Sequence, residues 1–430
     1  MANKDSKSTF FCSNCGNEYS TWSGRCLACG EWNSLKEVSA EKVAASSGIG
    51  QKIAPQKLSG LKKTNPPRIS SGYKEVDRVF GGGIVNGSVI LLGGEPGIGK
   101  STLLLQIIGK FGPTLYVSGE ESAEQIKLRA DRLKVKIGNI SVSSTPDISG
   151  LEEEIIESSP KLVVIDSIQT VYDSRISGSA GSLSQVKETG LVLQQLAKKH
   201  SLPIVIVGHV TKEGVVAGPR TLEHLVDVVV YIEGDRSQEA RIIRCVKNRF
   251  GNTDEIAVMK MESAGLIEIA NPGAFFLADR QNSPGSAITV LVEGSRPILV
   301  EIQALVTPTV FGYPRRTTSG FDLNRLNILV GVMTKRAGMN LGSQDVYINV
   351  VGGISTREPA ADLAICLAIA SSYKNKSLLD GYCYFAEVGL TGELRKVSGA
   401  DKRKKEAEKL GYKVGSNYKN IGQAIEKNLY

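Results

Sequence analysis

The sequence lacks any long apolar segment. No stretch approaches the eighteen or so uninterrupted apolar residues that a helix needs to cross a bilayer. Residues 1–9 also lack the apolar core that a secretory signal contains. These absences argue against a secreted or membrane-spanning protein. We therefore expect a soluble cytoplasmic protein that has no membrane partner.

Cysteine is scarce, with seven residues in a chain of 430. In a reducing compartment so few cysteines do not normally build a disulfide framework, so their grouping needs another explanation. Three of them lie in apolar surroundings and are expected in the core: Cys245, Cys366 and Cys383. The other four form two closely spaced pairs near the N-terminus: Cys12, Cys15, Cys26 and Cys29.

Each cysteine pair is followed directly by a glycine, Gly16 or Gly30. A glycine there permits a left-handed turn that aims backbone amides at the thiolates. Two such knuckles predict a closed, tetrahedral four-cysteine zinc site, which stabilises a small segment and performs no catalysis. A reactive thiol pair is the alternative. We place the zinc ribbon at residues 8–35.

A phosphate-binding loop is the most specific motif in the sequence. It follows the apolar run 88–92, opens the helical pattern 102–110, and has the G-x-x-x-x-G-K-[ST] spacing. Glycines let the backbone curl around a β-phosphate, Lys100 reaches the β- and γ-phosphates, and the Ser101 hydroxyl can ligate Mg²⁺. A glycine-rich turn without nucleotide is the weaker alternative. The predicted ATP-binding residues of the loop are Gly94, Glu95, Pro96, Gly97, Ile98, Gly99, Lys100, Ser101 and Thr102.

Short apolar runs alternate with helical patterns after residue 69, which predicts an α/β fold with a doubly wound, mostly parallel sheet. The expected strands are 89–92, 115–117, 162–165, 204–207 and 228–232. Residues 36–68 have the composition of a linker, so we expect an ATPase domain at 69–273 and a further domain at 274–430. The net charge of +8 is compatible with a polyanionic partner.

Polar residues at strand ends are the next candidates, because parallel sheets bind ligands at the carboxyl ends of their strands. Asp166 closes the run 162–165 as a Walker B carboxylate would, with a plain turn aspartate as the alternative. Glu120 and Glu121 follow the next strand after the loop, where a carboxylate can orient the attacking water. They could also be acids at the N-terminus of the helix expected at 122–133.

Two further strand ends carry candidate cations. His209 follows the run 203–208, as either a γ-phosphate sensor or a satisfied core histidine. Lys247 and Arg249 bracket the end of a strand and could neutralise transition-state charge, most naturally on the nucleotide of a neighbouring subunit. Plain surface basic residues are the alternative there.

Taken in order, the ribbon, the phosphate loop, Lys247-Asn248-Arg249-Phe250-Gly251 and the C-terminal segment resemble the bacterial RadA/Sms family of DNA repair and recombination ATPases. The resemblance implies a RecA-like ATPase core and a homo-hexameric ring. It also implies binding of single-stranded and branched DNA, and helicase-like branch migration alongside the RecA recombination machinery. Glu120 becomes the catalytic glutamate, and Lys247 and Arg249 become trans-acting fingers. Residues 208–212, with Pro219 and Arg220, resemble a mobile DNA-facing loop.

The C-terminal segment resembles the proteolytic domain of Lon protease, but Ala360 stands in place of the nucleophilic serine and Asp401 in place of the activating lysine. Acyl transfer then has no route. An ATP-dependent protease is thus disfavoured, and a KaiC-like switch ATPase is the second alternative. Eight basic residues of the segment are candidates, some of which are expected on a DNA-facing surface or at subunit contacts, although 402–405 could be a solvated helix face. They are Arg315, Arg316, Lys335, Arg336, Lys402, Arg403, Lys404 and Lys405.

Overall fold

The computed structural model describes residues 9–12, 17–19, 21–27, 30–38, 67–209, 221–234, 239–310 and 312–430. The chain divides into two compact units. The first comprises Met1–Ile232, Cys245–Gly251 and Ser263–Gly265, and the second comprises Glu233–Arg244, Asn252–Glu262 and Leu266–Tyr430.

The N-terminal ribbon is a three-stranded antiparallel sheet in the order β2-β1-β3. Its strands are β1 (Thr9–Cys12), β2 (Glu18–Tyr19) and β3 (Leu35–Val38). Because Thr9 pairs with Val38, the sheet extends three residues into the range predicted as linker. The remainder of that range up to residue 66 lies outside the described residues.

The part of the first unit after residue 67 alternates strands and helices as predicted. Two short strands, β4 (Arg68–Ile69) and β5 (Ile84–Val85), pair with each other on either side of helix α1 (Lys74–Val79). The elements that follow are β6 (Val89–Gly94), α2 (Lys100–Ile108), β7 (Thr114–Ser118), α3 (Ala123–Arg132), β8 (Ile140–Ser143), α4 (Leu151–Ser158), β9 (Leu162–Asp166), α5 (Leu183–His200), β10 (Ile204–His209) and β11 (Val228–Glu233).

Six of these strands form a parallel sheet in the order β8-β7-β9-β10-β6-β11. All five strands expected from the apolar runs are confirmed. Their Val, Ile and Leu residues are buried on both faces, as parallel strands covered by helices require. Ser122 caps α3 through a reciprocal capping box with Gln125, which fixes where that helix begins.

The strand register brings the functional loops to one edge of the sheet. Ser118 at the end of β7 pairs with Asp166 at the end of β9, and His209 at the end of β10 pairs with Gly94 at the end of β6. Parallel strands in this register deliver the residues that follow them to neighbouring positions. The candidate nucleotide-binding residues therefore lie at this edge.

The second unit contains a four-stranded sheet in the order β15-β16-β18-β17, with β17 and β18 parallel. The remaining elements are β12 (Ala240–Asn248), β13 (Ile256–Glu262), β14 (Gly265–Glu268), α6 (Pro272–Phe276), β15 (Ser286–Glu293), β16 (Arg296–Pro308), β17 (Arg316–Ser319), α7 (Leu323–Arg336), β18 (Gln344–Val350), α8 (Asp362–Lys374), β19 (Tyr382–Cys383), β20 (Glu387–Val388), β21 (Leu394–Arg395), α9 (Ala400–Lys409), β22 (Lys413–Val414) and α10 (Ile421–Asn428).

The second unit begins earlier in the chain than residue 274. Ile242 and Val258, on the paired strands β12 and β13, share one apolar core with Leu291 and Val300. This shared burial groups Glu233–Arg244 and Asn252–Glu262 with the C-terminal unit, whereas Cys245–Gly251 belongs to the first.

Helix α8 forms the centre of the second unit. Residues from Leu363 to Ala370 along this helix are all buried, and a helix that is apolar on every side is a core helix. The predicted burial of Cys245, Cys366 and Cys383 is confirmed. Within the described part of the chain, no helix combines the length and apolarity that a membrane span requires.

Candidate nucleotide-binding and hydrolysis site

The phosphate loop connects β6 to α2 and is built by its glycines. Gly97 (φ 75°) and Gly99 (φ 118°) occupy the left-handed region, where a side chain would strain the backbone. Gly99 is the N-cap of α2 and offers no side-chain cap, so the first backbone amides of the helix are available to an anion. Ser101 and Thr102 lie in this first turn.

Lys100 holds the loop closed around its ammonium group. The side chain is almost completely buried, and Nζ donates to the carbonyl oxygens of Gly94 and Glu95, each at 2.9 Å. A Cβ at Gly94 would lie 2.8 Å from the carbonyl oxygen of Ile232, so only glycine fits there. A buried cation beside open helix amides suits the β- and γ-phosphates of a nucleotide.

Asp166 ends β9, which is separated from β6 by one strand, β10, and it is 7% exposed. Its Oδ2 accepts a hydrogen bond from the hydroxyl of Tyr116 on β7, which sequence reasoning missed. Burial raises the pKa of Tyr116 well above its ordinary value, so this hydroxyl remains a donor. Oδ1 accepts no hydrogen bond from any residue of the described chain. A free carboxylate oxygen and the Ser101 hydroxyl are a donor set that suits Mg²⁺.

Glu120 is the best-positioned candidate for orienting a water molecule. Its Oε1 accepts from Ser167 Oγ at 2.7 Å and from His209 Nε2 at 3.1 Å. The hydrogen bond from His209 is the main cause that lowers the pKa of Glu120 to about 2, against the opposing effect of burial, so the carboxylate is charged at neutral pH. Oε2 has no hydrogen-bond partner among the described residues, and the side chain is 41% exposed.

Glu121 has different partners from Glu120. Its carboxylate forms an ion pair with Arg129, on α3, and its backbone amide donates to Ser118 Oγ at 2.9 Å. The first-turn acid of α3 is Glu124, because the helix begins only at Ala123. Glu121 therefore stabilises the connection between β7 and α3. Because its carboxylate is already paired with Arg129, Glu120 is the better candidate for orienting the water.

His209 is connected to the site through both its ring and its backbone. Its Nε2 bonds Glu120, while its Nδ1 is buried and has no hydrogen-bond partner in the described part of the chain. The Gln169 side chain, also missed from the sequence, donates to the carbonyl oxygen of His209 at 3.2 Å and accepts from its amide at 3.4 Å. The predicted mobile loop begins at residue 208, and its part from 210 to 220 lies outside the described residues.

Lys247 and Arg249 are held by their own first unit. Lys247 Nζ donates to the carbonyl oxygens of Glu223 at 2.6 Å and His224 at 3.3 Å. Burial, aided by the charge of Arg249, lowers the pKa of Lys247. Arg249 Nη1 lies 3.1 Å from Asp227 Oδ1, and half of the Arg249 side chain is exposed.

Asp227, the partner of Arg249, lies at the end of β6 that is opposite to the phosphate loop. Asp227 Oδ2 accepts from the amide of Val89, the first residue of β6, at 3.0 Å. The loop begins at the other end of the same strand, at Gly94. Five residues at about 3.3 Å each separate the two ends by about 17 Å. The structure thus brings Glu120 near Lys100 and near the turn after Asp166, whereas Lys247 and Arg249 are bonded to Glu223, His224 and Asp227.

The ribbon contains the same turn twice. The amide of Cys12 donates to the Asn17 carbonyl and that of Cys26 to the Glu31 carbonyl, both at 2.9 Å. Both thiols are buried, and their sulfur atoms lie 3.2 Å from the hydroxyls of Ser34 and Tyr19 respectively. Buried thiols with hydroxyl neighbours fit thiolate ligands of zinc. The other two predicted ligands, Cys15 and Cys29, lie outside the described residues.

In the second unit, Ala360 is completely buried and Asp401 is exposed on α9. One predicted surface residue is wrong: Arg403 is completely buried. It forms an ion pair with Glu358 and donates through Nε to the carbonyl oxygen of Ser398 at 3.1 Å. The cause is helix geometry, because α9 turns this one member of its charged run toward the core.

Family models match two parts of the chain. A family described as "AAA domain" matches residues 56–215, and one described as "Rubredoxin metal binding domain" matches residues 10–37. The chain resembles a KaiC-like protein of Pyrococcus horikoshii with 18% identity and a TM-score of 0.40, over 47% of this chain and 99% of that one.

Relatives described as "DNA repair protein RadA" match almost the whole chain. That of Bacillus subtilis is 49% identical and covers 95% of this chain and 91% of its own length. That of Halalkalibacterium halodurans is 48% identical and covers 98% of this chain and 94% of its own. A zinc ribbon and an AAA domain imply zinc and nucleotide binding. The chain therefore belongs to the RadA family of DNA repair proteins, and its AAA domain makes it an ATPase.

Proposed function

We propose that the chain is a DNA-dependent ATPase that binds single-stranded and branched DNA and drives branch migration of recombination intermediates. One observation carries the proposal. Glu120 is bonded at once to Ser167, in the turn after the Walker B strand, and to His209, the last residue before the segment 210–220. A change at the γ-phosphate therefore reaches this segment through a single carboxylate.

Hydrolysis uses residues at the carboxyl edge of the sheet. Lys100 and the first amides of α2 bind the phosphates, while Ser101 and Asp166 would hold Mg²⁺, which would supply neutralising charge to the transferred group. Tyr116 fixes one oxygen of Asp166 and leaves the other for this role. Glu120, charged and held through Oε1, presents Oε2 to the attacking water.

Coupling to DNA runs through His209. When Glu120 turns to the water, its bond with the His209 ring weakens, and the segment that begins at residue 210 changes position. Single-stranded DNA that binds this segment also shifts the balance between the two positions of Glu120, toward His209 or toward the water. The effect runs both ways because coupling between two sites is reciprocal. DNA therefore stimulates hydrolysis, and hydrolysis moves DNA.

Lys247 and Arg249 act on the nucleotide of a neighbouring subunit in a homo-hexamer. Support comes from the pairing of Arg249 with Asp227, which lies at the Val89 end of β6, whereas the phosphate loop begins at the other end of this strand, about 17 Å away. Arg249 is half exposed despite its pairing with Asp227, so a neighbour can reach it. An interface contact of this kind makes hydrolysis depend on assembly.

The domains on either side of the ATPase catalyse no reaction themselves. Residues 8–35 hold zinc through Cys12, Cys15, Cys26 and Cys29, and 36–68 link them to the ATPase at 69–273. The segment 274–430 is a Lon-like scaffold in which Ala360 provides no nucleophile, which disfavours a protease. A KaiC-like switch ATPase is disfavoured by the near full-length match to RadA relatives. The protein acts in the cytoplasm with the RecA recombination machinery.

The proposal is tested by Glu120→Gln with Glu121→Gln as its matched control. Glu120→Gln keeps the shape of the side chain but weakens its hold on water, so ATP binding remains and turnover falls about 10²–10⁴-fold. Glu121→Gln loses the ion pair with Arg129 and keeps most of its turnover. Fluorescent-nucleotide binding and phosphate release measure the two effects. If Glu121→Gln alone loses turnover, the assignment of Glu120 fails.

A further inference from the structure

A cavity of about 710 Å³ lies in the first unit, lined by Tyr73, the C-terminal end of α2 and the loop after α3. The helix α2 begins at the phosphate loop and ends at this cavity, about 13 Å further along its axis. Asn139, which also lines the cavity, accepts at its carbonyl oxygen from the amide of Thr114, the first residue of β7, at 2.9 Å. The cavity therefore lies where the strands begin, away from the candidate nucleotide-binding residues at their carboxyl ends.

The cavity has a basic rim and an apolar floor. Three lysines line it: Lys110, Lys134 and Lys136. None of the lining residues, all of which lie in the described range 67–209, is acidic. The floor includes three buried apolar side chains: Ile108, Phe111 and Leu133. A ligand that matches this surface has both negative charge and an apolar group.

Lys110 holds a fixed position on the cavity wall. Its Nζ lies 3.3 Å from the centroid of the Tyr73 ring and donates to the carbonyl oxygen of Gly72 at 3.1 Å. The Tyr73 hydroxyl accepts from the Gln106 side chain at 3.2 Å, which ties the ring to α2. An ammonium group that is fixed before a ligand arrives loses little conformational entropy when it binds.

Lys134 has a backbone conformation that favours glycine. It follows the C-cap of α3 with φ 54°, in the left-handed region. The amide of Val135 donates to the Ala130 carbonyl oxygen at 2.9 Å, a bond that ends many helices with glycine at the position that Lys134 occupies. Because a lysine strains the backbone there, helix termination does not account for this residue. Lys134 and Lys136 are exposed, and neither forms an ion pair with a described residue.

The charge and the floor of the cavity select its occupant. The range 39–66 of this chain carries five lysines and one glutamate, so its charge does not match the rim. The backbone phosphates of a nucleic acid match the lysines but supply no apolar group for the floor. A peptide that combines carboxylates with an apolar side chain matches both parts, because lysines pair with carboxylates and the floor buries the side chain.

We propose that this cavity docks a partner protein through an acidic segment that carries an apolar side chain. The carboxylates of the segment pair with Lys110, Lys134 and Lys136, and the apolar side chain packs on the floor between α2 and the loop after α3. Because the cavity lies away from the nucleotide site, this docking role does not depend on the proposed DNA-dependent ATPase activity.

The probe is a fluorescein-labelled peptide, Asp-Glu-Asp-Ser-Asp-Phe, titrated with the full-length chain and followed by fluorescence anisotropy. Two control peptides separate the contributions of charge and apolar contact. Asp-Glu-Asp-Ser-Asp-Ser keeps the charge and lacks the apolar side chain, whereas Lys-Arg-Lys-Ser-Lys-Phe reverses the charge. We expect the probe to bind about tenfold more tightly than either control.

Three variants test the lysines. Lys136→Glu reverses one charge at the cavity, and its matched control Lys127→Glu makes the same change at an exposed position of α3 that does not line it. We expect Lys136→Glu to weaken probe binding about tenfold and Lys127→Glu to leave it within about twofold. Lys134→Gly removes one charge and relieves the backbone, so binding weakens about threefold while the melting temperature does not fall. ATP turnover stays within about twofold in all three variants, because none of them touches the nucleotide site.

The docking role is overturned if the unsubstituted chain binds the probe no better than the two controls, or if Lys136→Glu and Lys127→Glu bind it equally. If Lys136→Glu does not fold, unchanged affinity in Lys134→Gly overturns the role in the same way. Displacement of the probe by oligo-dT, together with weaker oligo-dT binding by Lys136→Glu, assigns the cavity to nucleic acid instead. A change in the mass of the assembly in light scattering of Lys136→Glu, absent from Lys127→Glu, assigns it to a contact between copies of this chain.

Discussion

Rings that mix two inactive variants reveal whether Lys247 acts across a subunit interface. Lys247→Ala keeps its own phosphate loop intact, so it binds ATP but hydrolyses it poorly. Lys100→Ala has a defective phosphate loop but keeps both finger residues, Lys247 and Arg249. Arg249, the companion of Lys247, pairs with Asp227 at the Val89 end of β6, a strand about 17 Å long whose other end leads into the phosphate loop, so we expect the target of both residues to belong to another subunit.

The structure and the ring stoichiometry together set the size of the rescue. In rings assembled at random from equal amounts of both variants, about one interface in four joins an intact loop to an intact finger. Sites that fire independently then recover about a quarter of the unsubstituted turnover, which a phosphate-release assay on the mixture detects.

The matched control mixes Lys247→Ala with the double variant Lys100→Ala Lys247→Ala, in which no interface has an intact finger. Subunit exchange is verified with differently labelled chains, and a mixture of Lys100→Ala with the unsubstituted chain measures how far sites depend on one another. Complete absence of recovery in mixed rings whose sites fire independently would refute the interface assignment.

Three further outcomes are expected. Lys100→Ala abolishes turnover in a chain that remains folded by circular dichroism, and near-normal turnover would reject the phosphate-loop assignment. The chain holds about one equivalent of zinc, which the double variant Cys12→Ser Cys29→Ser releases, and metal content unchanged by elemental analysis would contradict the ribbon. Glu358→Gln leaves the buried charge of Arg403 unpaired and costs the second unit about 3–5 kcal/mol, whereas adding Arg403→Met restores part of the loss. If calorimetry shows that Glu358→Gln and the double variant are equally destabilised, the unpaired charge of Arg403 is not the cause of the lost stability.

The features that could be predicted from sequence are those encoded within short segments. The loop from Gly94 to Ser101 contains its own turns, amides and cation, and the apolar run before Asp166 is by itself a buried strand. Strand ends collect at one edge of any parallel sheet, which is why Glu120, Asp166 and His209 were found together.

The features that could not be predicted are contacts between distant segments. Tyr116 looks like one more residue of an apolar strand, and only the pairing of β7 with β9 reveals its bond with Asp166. Gln169 and His209 are forty positions apart. The burial of Arg403 depends on which face of α9 meets the core, and a run of four basic residues conceals that face.

The central claim is that Glu120 couples nucleotide hydrolysis to DNA binding. It is tested most directly by measuring ATP turnover during a titration with oligo-dT. The account predicts turnover that rises with oligo-dT and saturates, and a Glu120→Gln chain that binds the same DNA without turnover. It also predicts that added salt weakens the DNA response, because phosphate contacts release counterions. Turnover independent of oligo-dT in a chain that binds both ATP and DNA would contradict the account.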